Sequence, residues 1–141
     1  MIRKFEKEDI TAVMDIWLAG NIQAHNFIDK LYWKQNYEIV SQMMFLADVY
    51  VYEKNDRIIG FVGLQGNYLA GIFICYEVQS QGIGRQLIDF LKQKYDSLIL
   101  DVYKKNNRAV KFYQDSGFAV QSEKIDKNTG EIELSMIWRC I

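Results

Sequence analysis

A mixed, mostly antiparallel α/β sheet of about seven strands, with helices on both faces, is the fold class predicted by the order of the residue patterns. Three observations carry it: β-type runs between Val49 and Ile74, a strand, glycine turn, helix and strand from Tyr68 to Tyr103, and a closing pair of strands after Gly117. The first reads as an antiparallel meander, the second as a parallel crossover, the third as a hairpin.

The elements follow in order. Ile2 to Phe5 alternates as a short strand, and Ile10, Val13, Met14 and Trp17 then recur at helical spacing, with Gly20 expected to end the helix. Residues 26–45 form a second helical stretch rich in aromatics, among them Phe27, Tyr32, Trp33 and Tyr37. Val49 to Tyr52 and Ile58 to Leu64 are strands joined through Lys54-Asn55-Asp56-Arg57, and a third strand, Tyr68 to Ile74, feeds the turn at Gly82. Ile83, Leu87, Phe90 and Leu91 make the apolar stripe of a helix that ends near Tyr95, and Leu98 to Tyr103 returns as a strand. A helix opened by Asn106 stops at Gly117, and Phe118 to Ile125 pairs through residues 126–130 with a last strand in which Ile132, Leu134, Met136 and Trp138 alternate with polar residues.

The 141 residues fit one domain, 1–141, without repeat, linker or low-complexity segment. Half the chain is apolar and a quarter charged, the balance of a soluble globule. No apolar run approaches the roughly 18 residues of a membrane span, and the first residues lack the hydrophobic block of a secretion signal, so a cytoplasmic protein without membrane association is expected. Cys75 and Cys140 lie far apart and form no CxxC pair, so free buried thiols are expected and neither a disulfide framework nor a bound metal. A net charge of −1 gives no general attraction to nucleic acid.

The chemistry begins at Gln79-Ser80-Gln81-Gly82-Ile83-Gly84, placed between a strand and a helix. A glycine-rich turn there aims free backbone N–H groups and the positive end of the helix dipole at an anion, and Gly82 and Gly84 carry no Cβ where a pyrophosphate comes closest. Arg85 sits in the first turn, where the dipole disfavours a cation unless a phosphate partners it; a solvated side chain is the alternative. A P-loop reading fails, because Gly66 and Gly71 are followed by Ile72-Phe73 rather than Lys and Ser or Thr. A dinucleotide fingerprint would need a small residue at Leu87, although Asp101 lies near the distance of a ribose-binding acid; it stays as the second reading.

The second motif is Asn106-Asn107-Arg108-Ala109-Val110-Lys111-Phe112-Tyr113. At roughly 100° per residue Asn106, Val110 and Tyr113 share one helix face, with Ala109 and Phe112 on its flank, so Asn106 and Tyr113 can address one ligand. Asn106 also suits the N-cap, and Tyr113 alone would read as a core aromatic.

Together these residues resemble the GNAT superfamily of acyl-CoA-dependent N-acyltransferases, whose acceptor loop reads Gln/Arg-x-x-Gly-x-Gly/Ala and whose later helix reads Asn-x-x-Ala-x-x-Phe-Tyr. Gln79, Gly82 and Gly84 match the first, and Asn106, Ala109, Phe112 and Tyr113 the second. Tyr76 stands where a proline is frequent, and Gln79-Ser80 where Arg-Gly is common. The resemblance implies acetyl-CoA as cosubstrate, its pyrophosphate on the backbone of Gln79 to Gly84, Gln81 included, with Arg85 beside it and its pantetheine along the strand ending at Phe73 and Ile74. It further implies that the Ile74 N–H polarises the thioester, that Tyr113 protonates the departing sulfur, and that an amine acceptor attacks directly in a ternary complex. The acceptor class stays open between protein lysine, N-terminal amine and small-molecule amine, and the assembly between monomer and homodimer. A non-catalytic CoA- or dinucleotide-binding module is the competing class.

Magnitudes qualify these roles. Complete proton transfer from a phenol of pKa about 10 to a thiolate of about 8.5 is uphill by roughly 2 kcal/mol, so Tyr113 acts mainly as a hydrogen-bond donor. A lysine-like amine must lose a proton at a cost of roughly 4.6 kcal/mol at pH 7, yet Tyr68 to Ile74 contains no carboxylate, leaving Glu77, a group elsewhere or ordered water as the base. His25, the only histidine, lies between the two early helices where the resemblance puts the acceptor pocket, next to Phe27. Base, substrate contact and structural histidine are its three readings. Lys104, Lys105, Arg108 and Lys111 form a basic group near Asn106, suited to a solvated face or to the 3′-phosphate of CoA.

Overall fold

The computed structural model describes residues 1–141. Its elements are β1 (Ile2–Lys4), α1 (Ile10–Ala24), α2 (Lys30–Met44), β2 (Asp48–Lys54), β3 (Arg57–Gln65), β4 (Tyr68–Ile74), α3 (Ile83–Lys94), β5 (Ser97–Tyr103), α4 (Asn107–Asp115), β6 (Ala119–Ile125) and β7 (Ile132–Arg139). The strands form one seven-stranded sheet in the order β1-β2-β3-β4-β5-β7-β6. All neighbours are antiparallel except β4 and β5, which run parallel across the α3 crossover. The β2–β3 hairpin turns on Asn55 and Asp56, both at positive φ (54° and 60°), as a two-residue turn of the primed type requires.

Strand alternation sorts the apolar residues into two cores. Tyr50, Val62, Leu64, Leu69, Leu100, Val102, Leu134 and Met136 pack with Ile83, Leu87, Ile88 and Leu91 of α3 and Tyr113 of α4 on one face. Val49, Val51 and Phe61 pack with Val13, Met14 and Trp17 of α1 and Trp33 and Met44 of α2 on the other. Helices therefore cover both faces.

Three expectations are corrected. Gly20 does not end the first helix, which continues to Ala24; a Cβ at Gly20 would lie 3.1 Å from the Phe73 ring, so the glycine serves close approach inside the helix rather than termination. The second helix begins at Lys30, capped by Asp29, whose side chain accepts from the Leu31 N–H at 2.9 Å; residues 26–29 are a turn. The thiols are free but not buried: Cys140 is exposed and Cys75 half-buried.

Parallel pairing fixes the position of the site. Only Tyr68/Ile99 and Leu69/Leu100 join β4 to β5. Beyond them Ala70 is an extra residue on β4, since Gly63 pairs with Gly71 and Leu64 with Leu69, and the two strands part. β5 keeps its full pairing to β7 on its other side. The sheet is thus open between two adjacent central strands.

Candidate active site

A cavity of about 910 Å³ occupies this opening, lined by β4, the 78–85 turn, β5, α4 and the end of α1. Main-chain geometry makes its β4 wall polar. The Cys75 N–H donates to the Ile59 carbonyl at 2.8 Å, so in the regular ladder that follows Phe61/Phe73 is the next hydrogen-bonded pair, while Gly60/Ile74 and Val62/Ile72 are not. The N–H groups of Ile72 and Ile74 therefore point away from β3 into the opening. The Ile74 carbonyl accepts from Gln79 Nε2 at 3.1 Å. Phe73 differs: its main chain is committed to β3, and its ring stacks on Phe61 at 5.1 Å and lines the cavity.

The turn into α3 has the features of an anion cradle. Gly82 is the N-cap at φ 82°, a left-handed conformation that a Cβ disfavours, and no side chain caps the helix. The first amides of α3 consequently lack intrahelical acceptors and face the cavity mouth with the dipole behind them. Gly84 has a different reason from the expected one, because a Cβ there would meet the Phe112 ring at 3.1 Å. Its smallness lets α3 and α4 approach. Arg108 ties the turn to α4, donating to Gln79 Oε1 at 2.8 Å and Ser80 Oγ at 2.9 Å. Arg85 lines the cavity and reaches Asp89 at 3.9 Å, whereas Gln81 is exposed outside the lining.

On α4, Asn106 caps the helix, its Oδ1 accepting from the Ala109 N–H at 3.3 Å. That bond orients the amide, so Nδ2 must donate to His25 Nε2, 3.2 Å away. Ala109 and Tyr113 line the cavity. Tyr113 is 8% exposed, wedged edge-on between Phe112 and Phe118, and no side chain or carbonyl pairs with its hydroxyl. Burial raises its pKa above the ordinary phenol value, so the group is neutral and donates a hydrogen bond more readily than it gives up its proton.

His25 caps the end of α1 and stacks on Trp33 at 5.2 Å, with Phe27 and Tyr103 edge-on. Since Nε2 accepts from Asn106, the ring proton is on Nδ1, which faces the Asn21 carbonyl without closing a hydrogen bond. Burial depresses the pKa to about 4, outweighing that carbonyl, so the imidazole is neutral and a weak base. Phe27 packs behind His25 and does not line the cavity. Glu77, the nearest carboxylate in sequence, also lies elsewhere: it is exposed, 4.0 Å from Arg57, beside a second, smaller cavity. Of the basic group, Lys104 pairs with Glu123, Lys105 with Glu131 and Lys111 with Asp115.

Sequence patterning assigns no acceptor role to three polar residues on the face covered by α1 and α2, among them Asp101, which it offers only as a possible ribose-binding acid. Tyr68 donates to Asp101 Oδ2 at 3.0 Å, Lys124 contacts the same carboxylate at 3.0 Å, and Glu133 completes that wall. Alternation on β5 and β7 gave the signal, but their meeting with β4 depends on strand order.

A family model described as an acetyltransferase (GNAT) domain matches residues 18–136. The peptidyl-lysine N-acetyltransferase YiaC of Escherichia coli K12 is 32% identical over 123 residues, spanning 85% of this chain and 84% of that protein. The solution structure of apo YjaB from Escherichia coli superposes with a TM-score of 0.88 at 24% identity, covering 100% of this chain and 98% of that one. An aminoglycoside 6'-N-acetyltransferase complexed with coenzyme A superposes at 0.74 with 13% identity, covering 100% and 97%. The matched segment contains both the glycine turn and the phenol-bearing helix, and by that match the chain belongs to the GNAT acetyltransferase family and is an acetyltransferase.

Proposed function

We propose that the chain is a single-domain peptidyl-lysine N-acetyltransferase that binds acetyl-CoA in the opening between β4 and β5. The observation that carries the reading is a cavity lined both by the unpaired edge of β4 and by Tyr113, whose ring is buried and whose hydroxyl has no partner. The pyrophosphate rests on the turn amides from Gln79 through Gln81 and Gly82 to Gly84, with Arg85 at the mouth. The pantetheine follows Phe73 and Ile74, whose free N–H, with that of Ile72, polarises the thioester carbonyl. A preorganised donor of this kind lowers the barrier by about 2.7–4 kcal/mol. Asn106 and Ala109 hold the start of α4 against the cofactor, and Tyr113 donates to the sulfur as the C–S bond breaks. Buried as it is, its pKa lies still further above that of a thiol, so the phenol acts as a donor in place of water.

Lysine as acceptor is supported by the name of the relative YiaC and by the aromatic and acidic far wall, where Trp33, Tyr68, Asp101 and Glu133 suit an alkyl stem ending in a cation. His25 lines this pocket and Phe27 supports its ring from behind; His25 positions α4 rather than taking a proton. The test is Tyr113→Phe with acetyl-CoA and lysine-containing peptides. Calorimetry is expected to show unchanged acetyl-CoA binding and kcat to fall by about 10²-fold or more. Unchanged turnover removes Tyr113 from the chemistry, and a wild-type protein that binds acetyl-CoA but acetylates no lysine removes the acceptor.

A further inference from the structure

Around Tyr103, on the α1–α2 face of the sheet, stand three carboxylates, and two of them have partners. Asp101 accepts from the Tyr68 hydroxyl at 3.0 Å and from Lys124 at 3.0 Å. Asp126 accepts from the Tyr103 hydroxyl at 2.6 Å. Glu133, directly opposite Tyr103 in the β5–β7 ladder and so on the same face as Tyr103 and Asp101, forms part of the cavity wall, where no side chain or N–H engages its carboxylate. Across the opening stands Tyr113, more than nine-tenths buried, lining the same cavity with an equally unpartnered hydroxyl. Tyr113 belongs to the core on the α3–α4 face and Glu133 lies on the opposite face, so the gap between β4 and β5 separates a free donor from a free acceptor.

That arrangement matches acyl transfer, in which the nucleophile approaches one face of the carbonyl and the leaving group departs near the other. Resting on acetyl-CoA in the opening and an amine as acceptor, we infer that Glu133 receives the acceptor's ammonium group and takes its proton. One N–H proton passes to the Glu133 carboxylate, and the freed lone pair forms the C–N bond to the acyl carbon. The C–S bond then breaks with its electron pair on sulfur, which Tyr113 stabilises. The second proton lost from nitrogen ends on the thiol, and the proton on Glu133 returns to solvent. Asp101 and Asp126 are poorer acceptors, because their lone pairs already hold phenol protons and, for Asp101, the Lys124 ammonium.

The surroundings favour the role. Around Glu133 stand Tyr68 from β4, Asp101 and Tyr103 from β5, Lys124 from β6, Asp126 after it and Tyr32 from α2. Three carboxylates against one ammonium attract a cation. Burial first, then Asp126 and Asp101, raise the Glu133 pKa above its ordinary 4.5, against a smaller opposing effect of Lys124. A stronger base narrows the gap to an alkylammonium of pKa about 10.4.

The test compares wild type with Glu133→Gln on a lysine peptide across pH, with acetyl-CoA calorimetry and thermal melts as controls. In wild type kcat/KM is expected to be level from about pH 7 to 9, because the ammonium form is the substrate; in the variant it should be about 10²-fold lower at pH 7 and climb about tenfold per pH unit until it approaches the wild-type value near pH 9, because free amine is then required. Unchanged acetyl-CoA heat locates the loss in proton acceptance. A variant within threefold of wild type with the same level profile overturns the inference, as does a raised KM with kcat and profile intact. Should Glu133→Gln fail to melt cooperatively, Glu133→Asp replaces it: a reduced rate with the level profile kept supports the assignment, and an unchanged rate overturns it. A wild type that binds acetyl-CoA but acetylates no amine fails the acceptor reading itself, an outcome separate from a silent Glu133 variant in an active enzyme.

Discussion

His25 shows how a residue's chemistry follows from its contacts rather than from its type. A histidine next to an acceptor pocket invites a base, but the Asn106 amide occupies Nε2 and the stacked Trp33 removes water, so the protonated form is disfavoured. The folded pKa of about 4 lies below the ordinary 6.5, so between those values the unfolded chain binds the extra proton. The neutral ring's contribution to stability is present above pH 6.5 and is lost as pH falls toward 4. Urea midpoints measured from pH 7 to 4 should therefore fall in wild type and vary less with pH in His25→Leu over that window. Equal slopes would place His25 in solvent. Tyr113, by contrast, was legible: its spacing from Asn106 aims both at one cavity, and burial adds only that its proton is held tightly.

For the elements, local signals specified the strands and the glycine turn, because alternation and positive φ are written in a few neighbouring residues. Gly82, at φ 82°, has no heavy atom within 4 Å of where a Cβ would stand, so its requirement is purely conformational. Gly82→Ala is expected to lower stability by about 1–2 kcal/mol in chemical denaturation and to weaken acetyl-CoA binding in calorimetry, since relaxing φ turns the first amides of α3 away. Loss of stability with binding unchanged would separate the turn from the anion. Element ends were less legible. Gly20 resembles a helix stop, yet it is retained inside α1 because the Phe73 ring presses against it, a contact between residues far apart in the chain.

Across the whole molecule, two cores on opposite faces hold a sheet that stays open at its only parallel pair. The N-terminal strand is fastened separately: Arg3 donates two bonds to Asp9, at 2.8 and 3.0 Å, and another to Glu53 at 3.2 Å, while the Glu6 N–H donates to Asp9 Oδ2 at 2.8 Å. The hydrogen bonds from Arg3 hold the Asp9 carboxyl below its ordinary 3.8 despite burial. Its stabilisation is thus complete above that pH and is lost as pH falls below it. Asp9→Asn should lower the unfolding free energy by about 1–3 kcal/mol near pH 7 and remove part of the acid sensitivity below about pH 4, read by denaturant titration. An unchanged acid limb would show that β1 is held by its backbone ladder alone.

The sequence by itself determined the strand and helix order, the glycine turn and the position of the phenol, because each depends on residues close together in the chain: a φ only glycine adopts readily, a cap, a helical repeat. That no helix is long and apolar enough to cross a membrane was equally a local property. Tertiary structure decided which carboxylate is free, which histidine nitrogen is occupied and where the sheet opens. Those depend on β5 lying between β4 and β7, which brings Tyr68, Asp101 and Glu133 to one wall from three separate strands, and no periodicity within any one strand encodes its neighbour.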